Sequence, residues 1–216
     1  MNLFAKLQQR QTPLRIGLIG AGKFAAMYIA QVPKTPGVHL VAIADLAPDN
    51  ARENLKRVGW DVARFKAASI EEALKDKCTN ISEDWQALVA HPAIDIVIEA
   101  TGNPMAAVEH ILGAFRNGKH VVNVTVEADA FCGPLLARKA AEASVVYSLA
   151  YGDQPAIICD LVDWARAAGF PVVAAGRGHK WLPHYAQSTP ETVWGYYGLT
   201  PPPESPRRAP SPPGRR

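Results

Sequence analysis

Between Leu14 and Gly152 the chain alternates short apolar runs with longer segments of helical period, which predicts βαβ units on a parallel sheet. The runs are Leu14 to Ile19, His39 to Ala44, Ile94 to Ala100, His120 to Val126 and Val145 to Ala150, read as strands buried on both faces. Between them the spacing predicts helices over Lys23 to Gln31, Pro48 to Val58, Ile70 to Asp76, Asp84 to Ala90, Met105 to Asn117 and Ala128 to Ala143. Punctuation agrees: Pro48 sits just inside one helix start, Gly59 closes that helix, and Gly118 follows Asn117 where another should stop. The expected fold class is α/β, a doubly wound parallel sheet. After Gly152 one more helix (Gln154 to Ala168) and one more strand (Pro171 to Ala175) are expected before the period is lost. Residues 176 to 200, rich in glycine, aromatics and His/Lys, read either as a site-lining loop or as an irregular extension packing its aromatics on the domain.

Composition narrows the function classes. Of 216 residues 48% are hydrophobic and 20% charged, which excludes a largely disordered chain. The net charge of +3 is confined to residues 201 to 216, where four arginines face one glutamate, so the first 200 residues carry 19 basic and 19 acidic side chains. No basic patch is left to explain, and nucleic acid is not an expected partner. That tail holds seven of the eighteen prolines and no large apolar residue, so it reads as a disordered Pro/Arg segment, as a terminus or as the product of an altered reading frame. Nothing approaches the run of about 18 apolar residues that a membrane span requires. The odd cysteine count, Cys78, Cys132 and Cys159 in no ligand spacing, suits a reduced compartment, so a cytoplasmic location is expected.

The chemistry starts where the first strand ends. Gly20-x-Gly22-x-x-Ala25 sits at a strand-to-helix turn: Gly20 supplies the tight turn, Gly22 lets the backbone approach a pyrophosphate, and Ala25 is small enough for close helix–strand packing. Lys23 and Phe24 lie within the same turn and count with it as cofactor-binding candidates. Asp45, at the end of the second apolar run and 20 residues beyond Ala25, is placed to hydrogen-bond adenine ribose hydroxyls. A carboxylate there repels a 2′-phosphate, and Leu46 and Ala47 supply no cation to offset it, so NAD is favoured with NADP as the minority reading. Ligands of open α/β sheets bind beyond the strand carboxyl ends, where Ala100, Thr101, Gly102, Asn123, Glu127 and Asp153 follow later runs. Ala100 and Gly102 would let a nicotinamide ribose lie against the backbone, and Thr101, Asn123, Glu127 and Asp153 would border the reactive face. Asp153 and Asp129 also suit helix capping.

RIGLIGAGKF, VAIADL, VIEATGNP, GKHVVNVTVEAD and VVYSLAYGDQP, taken in order, resemble the homoserine dehydrogenase-like oxidoreductases, particularly the branch that often carries a C-terminal SAF domain. That branch is also similar to deoxyxylulose phosphate reductoisomerase-like enzymes. The resemblance covers about residues 13 to 200 and implies a Rossmann dinucleotide-binding domain over 1–150, the beginning of a catalytic domain over 151–200, and a foreign tail over 201–216. It further implies NAD(P)-dependent hydride transfer on a small polar substrate. Gly176 to His184 resembles the family's GKGTKYLP-like stretch, which makes Lys180 a substrate-binding or electrophilic candidate, with Glu127 or Asp153 for proton transfer or orientation. Two departures stand out: no lysine follows VVNVTVEAD as the Asn-Lys pair of homoserine dehydrogenases would require, and the catalytic domain breaks off after YGLT. His179 and His184 lack an evident third ligand, so no metal is expected. Alternatives are a reductoisomerase-like enzyme and a non-catalytic dinucleotide-binding module. An incomplete catalytic domain would expose apolar surface and favour a homo-oligomer.

Overall fold

The five apolar runs and one short strand that the pattern does not show form a six-stranded, wholly parallel sheet. The computed structural model describes residues 2–151, 154–176, 182–189 and 191–197, in two compact units, residues 1–171 and 172–216. In the first unit β1 (Leu14–Ile19), β2 (Val38–Ala44), β3 (Asn80–Ser82), β4 (Ile96–Glu99), β5 (His120–Asn123) and β6 (Tyr147–Leu149) lie in the order β3-β2-β1-β4-β5-β6. Chain direction across the sheet reverses between β1 and β4, the doubly wound arrangement expected. The helices are α1 (Leu3–Gln8), α2 (Ala25–Gln31), α3 (Pro48–Arg57), α4 (Ile70–Asp76), α5 (Trp85–Ala90), α6 (Pro104–Arg116), α7 (Val126–Glu142) and α8 (Gln154–Ala167). In the second unit a 3-10 turn (Pro183–Gln187) precedes α9 (Val193–Tyr197), and the His184 ring stands edge-on to Tyr185 and Tyr196 at 4.7 and 4.9 Å.

Strands buried on both faces divide their side chains between two cores. On one face Ile16 and Leu18 of β1 and Leu40 and Ile43 of β2 pack with Ala25, Ile29, Ala51 and Leu55 from α2 and α3. On the other, Ile19, Val41 and Val97 pack with Leu88, Ala107, Ile111 and Leu136 from α5, α6 and α7. Burying side chains of this size stabilises by about 1.5–3 kcal/mol each relative to exposure, so removing either layer of helices would strip the sheet.

Several elements differ from the sequence reading. The fourth run stops as a strand at Asn123 rather than Val126, because the Asn123 side chain accepts from Thr125 N (3.0 Å) and donates to Thr125 O (3.1 Å), folding the chain into a local turn. That turn starts α7 at Val126, two residues early, so Glu127 and Asp129 lie in its first turn. The expected strand over Pro171 to Ala175 does not form; Val173 is 95% exposed and finds no ladder. β3 was illegible because only Ile81 of its three residues is apolar; its place is fixed by polar bonds, Thr79 Oγ1 to Leu40 O (2.6 Å) and Asn80 Nδ2 to Ala67 O (3.0 Å). Inside α7, Cys132 leaves helical geometry two residues before Pro134, whose ring cannot fit against the preceding turn.

Below the sheet's N-terminal edge, polar groups set the register. Lys119 is buried, with its ammonium donating to the carbonyls of His91 (2.7 Å) and Ile94 (2.9 Å), and burial pushes its pKa down. Arg15 of β1 grips Asp95 just before β4 through Nη2–Oδ1 (2.6 Å) and Nε–Oδ2 (3.0 Å), and the Arg15 hydrogen bond holds the Asp95 carboxyl below the usual range. A carboxylate with a depressed native pKa contributes stability that is present above its unfolded pKa and is lost as pH falls through the native value. Both side chains are about one-third exposed (35% and 32%), which holds the contribution to about 1 kcal/mol or less. Asp95→Asn should therefore lower stability by about that amount at pH 7, and the gap should close as pH falls below the usual carboxylate range and through the native value; urea unfolding from pH 7 downward measures it, and a gap that does not narrow down to pH 2 would refute it.

Candidate functional site

Parallel register brings the last residues of the strands into one row: Ile19 lies beside Ala44 and Glu99, Glu99 beside Asn123, and Asn123 beside Leu149. The residues that follow this row surround a cleft of about 350 Å³ at the point where strand order reverses. Gly20, Gly22, Asp45, Ala100 and Thr101, all anticipated from sequence, line it together. Ala25 is buried beneath the turn, while Lys23 and Phe24 are exposed beside it. Gly102 and Asn123 lie outside the cleft wall; Asn123 is fully buried. Glu127 is exposed on α7. Asp153, His179 and Lys180 lie outside the described residues.

The two glycines do different work. Gly20 has φ +89°, and a Cβ there would stand 2.8 Å from Ala100 C and O and from Thr101 Cα. It is required because the β1 and β4 exits touch backbone to backbone. A Cβ on Gly22 would meet nothing within 4 Å, so the space above this residue is open to a ligand, as a pyrophosphate cradle requires. Asp45 clasps this turn from β2: Oδ2 accepts from Ala21 N (2.7 Å) and Oδ1 from Ala47 N (2.8 Å). Asn54 of α3 completes the clasp by donating to Ala21 O (2.8 Å). Each carboxylate oxygen keeps a further lone pair for a ribose hydroxyl.

Behind Ala100 and Thr101 lies a polar network that the sequence reading missed. Glu99 is fully buried at the end of β4. Its Oε1 accepts from Thr101 Oγ1 (2.6 Å) and Thr101 N (3.4 Å) and faces His110 Nδ1 (3.2 Å), and its Oε2 accepts from the Thr125 hydroxyl. Thr125 in turn accepts from Gly102 N (3.0 Å). Asn123 Nδ2 donates to the Tyr147 hydroxyl (3.1 Å), which donates to Asp129 Oδ1 (3.0 Å); burial first, then the charge of Asp129, keep that phenol protonated well above its ordinary range. Thus the exits of β4 and β5 and the first residue of β6 are tied side chain to side chain. The available signal was an acidic residue inside the apolar run IVIEA, since a charge in a strand buried on both faces must find donors.

Electrostatics on the β2 side of the cleft are acidic. Asp45 and Glu83 line it, and no lysine or arginine does among the described residues. Arg52 is held by Asp49 (3.0 Å) and Ile81 O (3.2 Å), and Lys56 by Glu53 (2.6 Å). Among the described residues no group of three or more His, Cys, Asp and Glu could hold a metal, and no helix is long and apolar enough to cross a membrane. The glycine geometry predicts that Gly20→Ala costs about 2–4 kcal/mol from strain and overlap, whereas Gly22→Ala changes stability by less than about 1 kcal/mol. Denaturant unfolding separates the two; equal losses would contradict the geometry.

Comparison with known proteins bears on the family and the fold. A model of the oxidoreductase family with an NAD-binding Rossmann fold (GFO_IDH_MocA) matches residues 14–123, and a model of the catalytic domain of oxidoreductase DRL matches residues 152–200. Homoserine dehydrogenase of Methylobacillus glycogenes is 32% identical over 114 residues, 51% of this chain and 24% of that protein. The Pseudomonas aeruginosa homoserine dehydrogenase is 31% identical over 130 residues, 59% of this chain and 27% of that protein. The chain thus spans about a quarter of the length of these relatives. The solved homoserine dehydrogenase from Thiobacillus denitrificans shares the fold at 20% identity and TM-score 0.51, over 64% of this chain and 29% of that one. With more than half its length matched from the first strand through the fifth, the chain belongs to the oxidoreductase family with an NAD-binding Rossmann fold.

Proposed function

We propose that this chain is the dinucleotide-binding part of an NAD-dependent oxidoreductase of homoserine dehydrogenase-like type, acting by hydride transfer on a small polar substrate. The observation that carries the reading is the convergence of Gly20, open-faced Gly22 and Asp45 on one cleft at the switch point. These residues fit the cofactor: the turn at Gly22 would take the pyrophosphate, Asp45 the adenine ribose, and Ala100 and Thr101 the sheet side of the molecule. The hydride chemistry is what a nicotinamide supplies when bound; the chain's own part is to bind, orient and exclude water. Asp45 and Glu83, with no facing cation among the described residues, favour NAD over NADP. We assign Lys180 to anion binding or carbonyl polarisation and Glu127 or Asp153 to proton transfer or orientation. Asp153 and Lys180 fall within the stretch matched by the DRL catalytic domain, which supports a domain boundary near residue 151 and also supports the reductoisomerase-like branch as a second reading. A cytoplasmic location accords with this reading.

Fluorescence titration with NADH and NADPH tests the cofactor assignment. Wild type should prefer NADH, and Asp45→Ala should weaken NADH by about tenfold more than NADPH: loss of the turn clasp reaches both nucleotides, whereas loss of the ribose hydrogen bonds falls on NADH and loss of the charge relieves the 2′-phosphate of NADPH. Equal losses for the two nucleotides would refute the role of Asp45. A substrate-dependent change in NADH absorbance, with homoserine and small phosphorylated carbonyl compounds supplied in turn, separates an enzyme from a binding module.

A further inference from the structure

We propose that His110 reads the purine of the bound dinucleotide, accepting at Nε2 a hydrogen from an exocyclic amino group, so that the cleft takes adenine in preference to a 6-oxopurine. The inference rests on the dinucleotide reading of the cleft and names the specificity of one end of it. Past Asp45, the ribose position, the cleft continues toward Leu46, Glu83, Trp85, Ala106 and His110, the side on which the base must lie. His110 is 8% exposed, its ring edge-on to Trp85 at 4.7 Å, and among the described residues its ring is hydrogen-bonded at Nδ1, to Glu99 (3.2 Å), and not at Nε2.

The tautomer follows from Glu99. Its two oxygens face three donors and one ring nitrogen of His110, and the two threonine hydroxyls among the donors already accept from backbone N–H groups: Thr101 Oγ1 from Asn103 N (3.3 Å) and Thr125 Oγ1 from Gly102 N (3.0 Å). Their hydrogens therefore point at Glu99, which acts toward His110 as an acceptor. In the neutral imidazole the hydrogen then sits on Nδ1 and Nε2 keeps a lone pair. An adenine amino group satisfies that lone pair, whereas a 6-oxo group sets acceptor against acceptor. Glu99 is thus a positioning residue, acting on the ligand only through His110.

The test compares NADH with reduced nicotinamide hypoxanthine dinucleotide, which carries a 6-oxo group in place of the amino group. Wild type should bind NADH about fivefold to tenfold tighter, the worth of one hydrogen bond. His110→Phe, which keeps a ring against Trp85, should bind both nucleotides alike, and His110→Asn, with its shorter reach, should lose the preference as well; circular dichroism checks that each variant folds. Equal binding by wild type, or a folded variant that keeps the full preference, would overturn the proposal. Should neither variant fold, equal binding of the two nucleotides by wild type still overturns the proposal. Failure of wild type to bind either nucleotide is a different result and overturns the dinucleotide reading itself.

Discussion

A carboxylate with no exposure to water, Glu99 at the end of β4, is the constraint around which the C-terminal edge of the sheet is organised. An unpaired charge at such a depth is untenable, so the surrounding chain must deliver donors. It does so from three places: Thr101 two residues on, His110 from the second turn of α6, and Thr125 from the exit of β5. Satisfying Glu99 fixes the path of residues 101–103, and that path abuts Gly20, where no side chain fits. The buried charge therefore shapes the cleft wall at one remove, without touching anything bound there.

Asp45 works from the opposite wall by different means. Its carboxylate holds Ala21 N and Ala47 N, so the residue expected to meet a ribose also holds the glycine turn in place. One side chain that both shapes the turn and binds the ligand ties pyrophosphate and ribose positions to each other, a form of preorganisation. Gly22 is left free of such contacts, and its openness is what distinguishes a binding surface from a packing surface along the same five residues.

The apolar period disclosed most of the frame. β1 and α4 occupy the expected residues, and β2, α3 and α6 fall within one residue of expectation at each end. What escaped was held by polar bonds: β3, with one apolar residue in three, and the end of β5, where Asn123 turns the chain back on itself. An alternating pattern also over-reached at Pro171 to Ala175, since a strand needs a neighbouring edge and Val173 meets none. In the site, Gly20, Gly22 and Asp45 were legible because they follow a set strand–turn–helix–strand spacing, whereas the Glu99–His110 pair follows no such spacing and shows itself only once α6 is folded onto β4. Residues 14–123, the stretch matched by the family, contain every strand exit of the cleft.

The central claim is that the cleft between β1, β2 and β4 is where the dinucleotide binds. Backbone amide spectra of the ¹⁵N-labelled chain, recorded with and without NADH, test it most directly. The account predicts that the largest shifts fall on Gly20 to Gly22, on Asp45 and Leu46, and on Thr101 to Asn103, with Arg15, Asp95 and Lys119 at the far end of the sheet unmoved. Shifts centred on the far end, or none at saturating nucleotide, would contradict it.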